Sequence, residues 1–415
     1  MQRLVKFIIL IFLQIPYSVN AQLIKTLDFF VTMAKENSPV LNDFNNQRYS
    51  LKIDSMKILA DYGFKINSVN DATYAPVANG WGYDNALSNG QNVTAIIRIS
   101  KDLSGRKNLN TRLLDYSLGI KQLFNQARIT ELQLVQAVTQ QYINTYAAQQ
   151  QYQNSQEVIK LLKGENIILK KLTRNAVFKQ TDYLSFMVML QQNILTSQQM
   201  YASWLNSYAT LNYISGIVDT TLQKVEPVLL SNESTISFEN SIYADNYKID
   251  SLKLVNQAKI IRNEYRPKLS AYADGGYSSS FIITPYKNFG ASVGLSLSVP
   301  LYDGNKQNKM LQQNHLQQET RRRYNDFERN QYKQQVGQIQ NQIKQYRQMI
   351  ATANEQLKYS KTLIDANLKQ LPTGDVKVTD FILSINNYIN LKSGLIQFET
   401  TLYNFYNKLN NLTIQ

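Results

Sequence analysis

The sequence predicts an α+β membrane protein built by duplication, each half running helix, strand, strand, very long helix, returning helix. Three observations predict it. Lys52-Ile53-Asp54-Ser55-Met56-Lys57-Ile58-Leu59 returns as Lys248-Ile249-Asp250-Ser251-Leu252-Lys253-Leu254-Val255, and Thr181-Asp182-Tyr183-Leu184 returns as Thr379-Asp380-Phe381-Ile382 at nearly the same offset. That is a tandem repeat of roughly two hundred residues. A heptad stripe runs through the second long helix, and segments with a period of two precede both long helices.

The chain opens with Arg3 and Lys6, an apolar stretch from Phe7 to Ile15, and Val19-Asn20-Ala21, the layout of a secretory signal peptide over residues 1–21 that leaves Gln22 as the expected first mature residue. No later run approaches the roughly eighteen apolar residues of a membrane-spanning helix. Any entry into a membrane must therefore use strands. Removing Arg3 and Lys6 leaves 42 basic against 30 acidic residues, a net charge of +12, which suits an anionic lipid surface. Secretion speaks against nucleic acid as the partner. The absence of cysteine excludes disulfides, thiolate metal sites and a lipid joined through an N-terminal cysteine.

The first repeat is expected over residues 22–218, with strands at about 65–77 and 91–103 and long helices at 104–174 and 183–217. Val93, Ala95, Ile97 and Ile99 alternate with Thr94, Ile96, Arg98 and Ser100, and Leu132, Val135, Val138, Tyr142 and Tyr146 share one helix face. Residues 219–246, with Pro227 and a polar Ser-Asn-Glu-Ser run, are expected as the connection, partly disordered. The second repeat follows over residues 247–415. Its strands are expected at about 267–282 and 289–301, turning around Thr284-Pro285-Tyr286-Lys287, with Val293, Leu295, Leu297, Val299 and Leu301 on one face and Ser and Gly on the other. Its long helices are expected at 305–370 and 381–412. Tyr332, Val336, Ile339, Ile343, Tyr346, Ile350, Ala353, Leu357 and Ile364 recur at steps of three, four and seven, a seam for packing against other helices. At about 1.5 Å per residue the 305–370 helix would extend on the order of 100 Å. The returning helices are about half as long, so another element must complete the bundle.

Aromatics at the hairpin ends, Trp81, Tyr83, Phe281, Tyr286 and Phe289, suit the girdle where a barrel meets lipid headgroups. Four strands of about ten to thirteen residues have membrane length, yet four cannot close, and an open edge is forbidden in hydrocarbon. Two copies give eight strands with a filled interior, whereas three give twelve and leave a water-filled path. The small, polar inner face favours three.

These residues carry a resemblance. Arg266-Pro267-Lys268-Leu269-Ser270-Ala271-Tyr272 and the segment from Gly290 through Ser298-Val299-Pro300-Leu301-Tyr302-Asp303-Gly304 resemble the second-repeat hairpin of the TolC-like outer-membrane efflux family, and Ser38-Pro39-Val40-Leu41 is similar to its opening motif. The resemblance implies a homotrimer with a 12-stranded β-barrel in the outer membrane, continuous with a long periplasmic α-helical barrel. It also implies the exit duct of a tripartite efflux or type I secretion system, docked to a periplasmic adaptor and an inner-membrane pump.

Leu371-Pro372-Thr373-Gly374-Asp375-Val376-Lys377-Val378-Thr379-Asp380 resembles the family's periplasmic tip turn. By that resemblance Gly374, Asp375 and Val376 contact the adaptor, and Thr379 and Asp380 belong to the gate, three Asp380 carboxylates forming an acidic ring that attracts cations. Thr379 and Asp380 can equally serve to complement the positive end of the returning helix. The first-repeat counterparts are Ala176 and Val177 at the docking turn and Thr181 and Asp182 at the gate. Ala176 stands where the tip glycine usually falls, and Leu383 where relatives often carry a second ring acid.

No other constellation carries chemistry. His315 is the only histidine, no nucleophile-base-acid pattern or nucleotide-binding glycine motif appears, and no cofactor is expected. The Arg321-Arg322-Arg323 run is expected as a solvated helix face. The sequence thus predicts a passive conduit rather than an enzyme. The alternative is a secreted periplasmic coiled-coil adaptor or scaffold without a pore.

Overall fold

The computed structural model describes residues 25–82, 90–219, 221–231, 237–280 and 284–413. The expected signal peptide at residues 1–21, Tyr83 and Phe281 lie outside them. In chain order the elements are α1 (Leu27–Asn37), α2 (Pro39–Asp61), β1 (Lys65–Tyr74), β2 (Gln91–Asp102), α3 (Arg106–Arg174), α4 (Gln180–Ile214), α5 (Ile242–Glu264), β3 (Lys268–Ser279), β4 (Phe289–Ser298), α6 (Lys306–Gln370) and α7 (Val378–Leu412). The chain divides into two compact units that cut across the repeats, each built from both halves. One is helical, formed by residues 25–38, the described part of Leu132–Ser234, and Val336–Leu412. The other holds the sheet, with the described parts of Pro39–Glu131 and Thr235–Gln335.

In the sheet-bearing unit the two hairpins join through β2 and β3 into one antiparallel sheet in the order β1-β2-β3-β4. Register sorts the faces. Ile66 pairs with Ile99, Ile99 with Ala273 and Ala273 with Val293, so this row is apolar across all four strands. Asn67, Arg98, Asp274 and Ser292 form the corresponding row on the polar face. The apolar face is bare: Val293 is 86% exposed, Leu295 69%, Leu297 66% and Ile97 58%. Trp81, Tyr74, Tyr286 and Phe289 are exposed as well, and the Tyr277 and Phe289 rings meet at 5.2 Å. Helix α2 buries none of its residues and shows Tyr49, Ile53, Met56 and Leu59 to solvent. Helix α5 buries Ile260 and Ile261, and Phe238 packs against Tyr332 with ring centroids 5.7 Å apart.

Neither α3, at 69 residues, nor α6, at 65, contains a proline. Asp303 starts α6: its carboxylate accepts from the backbone N–H groups of Lys306 at 3.2 Å and Gln307 at 2.8 Å. Those N–H groups, chiefly that of Gln307, hold the Asp303 carboxyl below the usual carboxylate range.

In the helical unit the heptad stripe is the buried face, with Ile339, Ile343, Ala353 and Ile364 removed from solvent. Ile339 and Ile343 pack with Tyr406 and Leu409 of α7. A second cluster gathers Phe30 of α1, Val138, Tyr142 and Ile143 of α3, and Tyr208 and Leu211 of α4. Val225 and Val228 from the segment between the repeats complete it, so the described part of that segment is packed structure rather than a free tether. Tyr142 donates to the Glu226 carbonyl at 3.0 Å, and burial pushes its phenol up to about 12.

Asparagines cross between helices to reach backbone carbonyls. Asn407 donates to Gln136 at 2.9 Å and Asn411 to Leu132 at 2.8 Å in the helical unit; Asn256 donates to Thr111 at 2.9 Å and Asn314 to Leu254 at 3.0 Å in the sheet-bearing unit. All four are buried. A one-residue slip would strand each amide without its acceptor, so these bonds fix register where apolar contacts alone would tolerate sliding. Asn407→Ala is expected to cost about 1–3 kcal/mol, read as a lower midpoint in denaturant melts of the helical circular dichroism signal; an unchanged midpoint would show that the bond carries no weight.

Candidate functional site

The two reversal turns of the helical unit, with the first turns of the helices that follow them, hold the site residues expected from the sequence. Helix α3 ends as the Val177 N–H reaches back to the Leu172 carbonyl at 3.0 Å and the Ala176 N–H to Thr173 at 3.1 Å. That closure needs a left-handed residue, and Ala176 supplies it at φ 59°. In the second repeat, Leu371–Thr373 form one 3-10 turn and Gly374 takes the matching position at φ 76°. A Cβ built on Gly374 would lie 3.6 Å from Val177 Cγ1, so the turns touch each other.

Beneath them lies an apolar base. Leu162 and Leu169 of α3, Phe186, Met189 and Leu190 of α4, Leu371, and Val378, Phe381 and Ile385 of α7 form one buried cluster. Phe178 and Val376 pack on it from the turns themselves. Asn367 of α6 donates to the Ser384 hydroxyl of α7 at 3.1 Å within this region. The turns are thereby held from below while their outer surfaces stay free of the core.

Of the expected docking residues, Ala176, Val177, Gly374 and Asp375 are exposed and Val376 is half-buried. Thr373 donates to the Asp375 carboxylate at 2.5 Å. The expected gate residues sit differently from the expected helix bounds. Helices α4 and α7 begin at Gln180 and Val378, three residues early, because the carbonyls of Lys179 and Lys377 already accept from Asp182 and Asp380, each at 3.1 Å. Thr181 and Asp182, and Thr379 and Asp380, therefore lie inside the first helical turns. Lys179 is the α4 cap, without a side-chain hydrogen bond. Asp182 is half-buried and Asp380 exposed, both where the positive end of a helix favours a carboxylate.

One residue near these turns was not singled out from the sequence. Val158, Leu162, Glu165 and Leu169 follow at steps of four, three and four, so Glu165 occupies a seam position between leucines that are fully buried. It is 9% exposed, and one carboxylate oxygen has no hydrogen-bond partner. Burial alone raises its carboxyl above the usual range, with no charged neighbour contributing. The spacing was the available signal. Elsewhere, Arg321 of the arginine run lies 3.7 Å from Asp250, and Arg329 pairs with Glu239 at 3.0 Å. Among the described residues no cluster of histidines and acids is arranged to hold a metal, and no helix is long and apolar enough to cross a membrane.

Ala176→Gly should stabilise the helical unit by about 1 kcal/mol by removing the left-handed penalty on a Cβ, while Gly374→Ala should cost a similar amount; denaturant midpoints check both. Glu165, raised by burial, favours the fold fully only below the pH at which it titrates in the unfolded chain, near 4.5, and that contribution is lost as pH rises through the higher folded value. Glu165→Gln should therefore melt higher than the parent at pH 7.5, by about 1 kcal/mol, and converge with it near pH 4. Parallel pH profiles would contradict the assignment.

No protein-family model matches the sequence, and no curated protein matches it. Solved structures do match in shape. CusC, described in connection with transmembrane channel formation, aligns with a TM-score of 0.79 at 11% identity over 94% of this chain and 92% of its own. The outer membrane protein VceC from Vibrio cholerae gives 0.76 at 10% identity over 93% and 96%. The MtrE outer membrane channel of Neisseria gonorrhoeae, in its open state, gives 0.75 at 13% identity over 93% and 88%. The chain has the fold of the TolC-like outer-membrane channels.

Proposed function

We propose that the protein is a passive outer-membrane conduit, the exit duct of a tripartite efflux or type I secretion system, assembled as a homotrimer. The observation that carries this reading is the sheet: one face is mainly apolar and bare, with Ser68 and Asn70 as its polar residues on β1, the other carries the Asn67, Arg98, Asp274 and Ser292 row, and among the described residues β1 and β4 are left as unpaired edges. In oil such edges must be paired. Twelve strands from three copies would pair them all, put the apolar face against lipid and enclose a polar path. The exposed Trp81, Tyr286 and Phe289 fit the lipid interface. The shared fold with outer-membrane channels supports the same reading, and the signal peptide is consistent with export.

In this reading the helices form a periplasmic α-helical barrel. The exposed apolar residues of α2 would be covered by neighbouring copies. The reversal turns face the inner membrane. Gly374, Asp375, Val376, Ala176 and Val177 meet a periplasmic adaptor, which couples the duct to an inner-membrane pump. Asp380 and Asp182, with Thr379 and Thr181 beside them, would ring the entrance and favour cations, and steric separation of the returning helices would open it. The protein does no covalent chemistry; the pump supplies the energy.

Purified protein added to planar bilayers should give discrete conductance steps with cation preference, and Asp380→Ala should weaken that preference. Steps with unchanged selectivity would remove Asp380 from the entrance. A water-soluble protein that gives no steps would favour a periplasmic scaffold instead.

A further inference from the structure

The polar face of the sheet carries a built cluster at the junction of the two repeats. Arg98 on β2 and Asp274 on β3 are direct cross-strand partners. The guanidinium grips the carboxylate with two bonds, Nε to Oδ1 at 2.7 Å and NH2 to Oδ2 at 2.8 Å. Arg98 also lies over the Tyr272 ring, 5.1 Å from its centroid. Tyr272 in turn lies across β4 at Gly294, its cross-strand partner, where any Cβ would fall 2.5 Å from the ring. Only glycine lets the ring lie flat there. Ser292, opposite Asp274, adds its hydroxyl to the carboxylate. Two long side chains are thus laid along the sheet rather than projected from it, with Asp274 only 11% exposed and Arg98 42%. On this face the other strand charges are Asp71 toward the hairpin ends and Lys65, Asp102 and Lys268 at the opposite ends of the strands.

We infer that Arg98 and Asp274 form a self-neutralising clamp on the lumen wall that joins the two repeats and adds no net charge at its own level of the barrel. The inference rests on the pore reading above. A bidentate pair pressed against the wall presents little net field to a passing ion, whereas either partner alone, repeated three times around the lumen, would act as a charged ring. A unit charge about 10 Å from an ion in water is enough for about a twofold change in its population.

The test is the reversal potential of single channels under a salt gradient. Asp274→Asn should move selectivity toward anions and Arg98→Gln toward cations, each by about twofold or more in permeability ratio, and the double variant should return to the parent value. Shifts of the same sign, or none, in channels that still conduct would overturn the clamp. If a single variant fails to assemble, the exchange of both residues, R98D with D274R, should restore assembly and parental selectivity; failure of the exchange counts against the inference. Parent protein that gives no conductance removes the pore and the clamp together, so the two failures are told apart.

Discussion

Among the described residues strands β1 and β4 pair on one side only, and the sheet they bound exposes a mainly apolar face with no described helix laid over it. A free edge and a bare apolar face are each costly in water, and the edge is worse in hydrocarbon, where every unpaired backbone group goes unsatisfied. Nothing within the described chain relieves either. Within the chain, the hairpins are joined across the repeats by β2 and β3, and Arg98 locks that junction with a bidentate bond to Asp274.

The helical unit solves a different problem. A seam of Ile, Leu and Tyr would hold long helices together but would not say at which register. The buried asparagines do, each tying a side-chain amide to one carbonyl of a neighbouring helix. At the reversal turns the same logic becomes local, with Asn367 and Ser384 bridging α6 and α7 beside the apolar base. The turns are thereby presented as fixed surfaces, and the one flaw in the base is Glu165, an acid held where leucine would pack.

Periodicity made the long helices and three of the strands legible, because heptads and alternation are written in neighbouring residues, while β1 followed only as the partner of β2. The contacts that assemble them were not. Asn407 meets Gln136 across 271 positions, and β2 meets β3 across most of a repeat, distances at which a single sequence carries no pattern. At the candidate site, the duplicated Thr-Asp pairs marked the right turns, but the helix starts were placed three residues late because Lys179 and Lys377, which look like ordinary loop residues, supply the first carbonyls that accept helical N–H groups. The role of Asp303 was hidden inside a motif noted only for its likeness. Ala176 was noted as a departure from glycine, yet the backbone takes the left-handed turn regardless and accepts the strain. Val225 and Val228 were hidden in a polar stretch whose composition suggested a loose tether.

The account stands on shared closure of the sheet. Native mass spectrometry of the protein extracted from membranes in mild detergent measures it directly. Three chains per particle is the predicted result, dissociating only on heating. A single chain that stays in solution without detergent would contradict it.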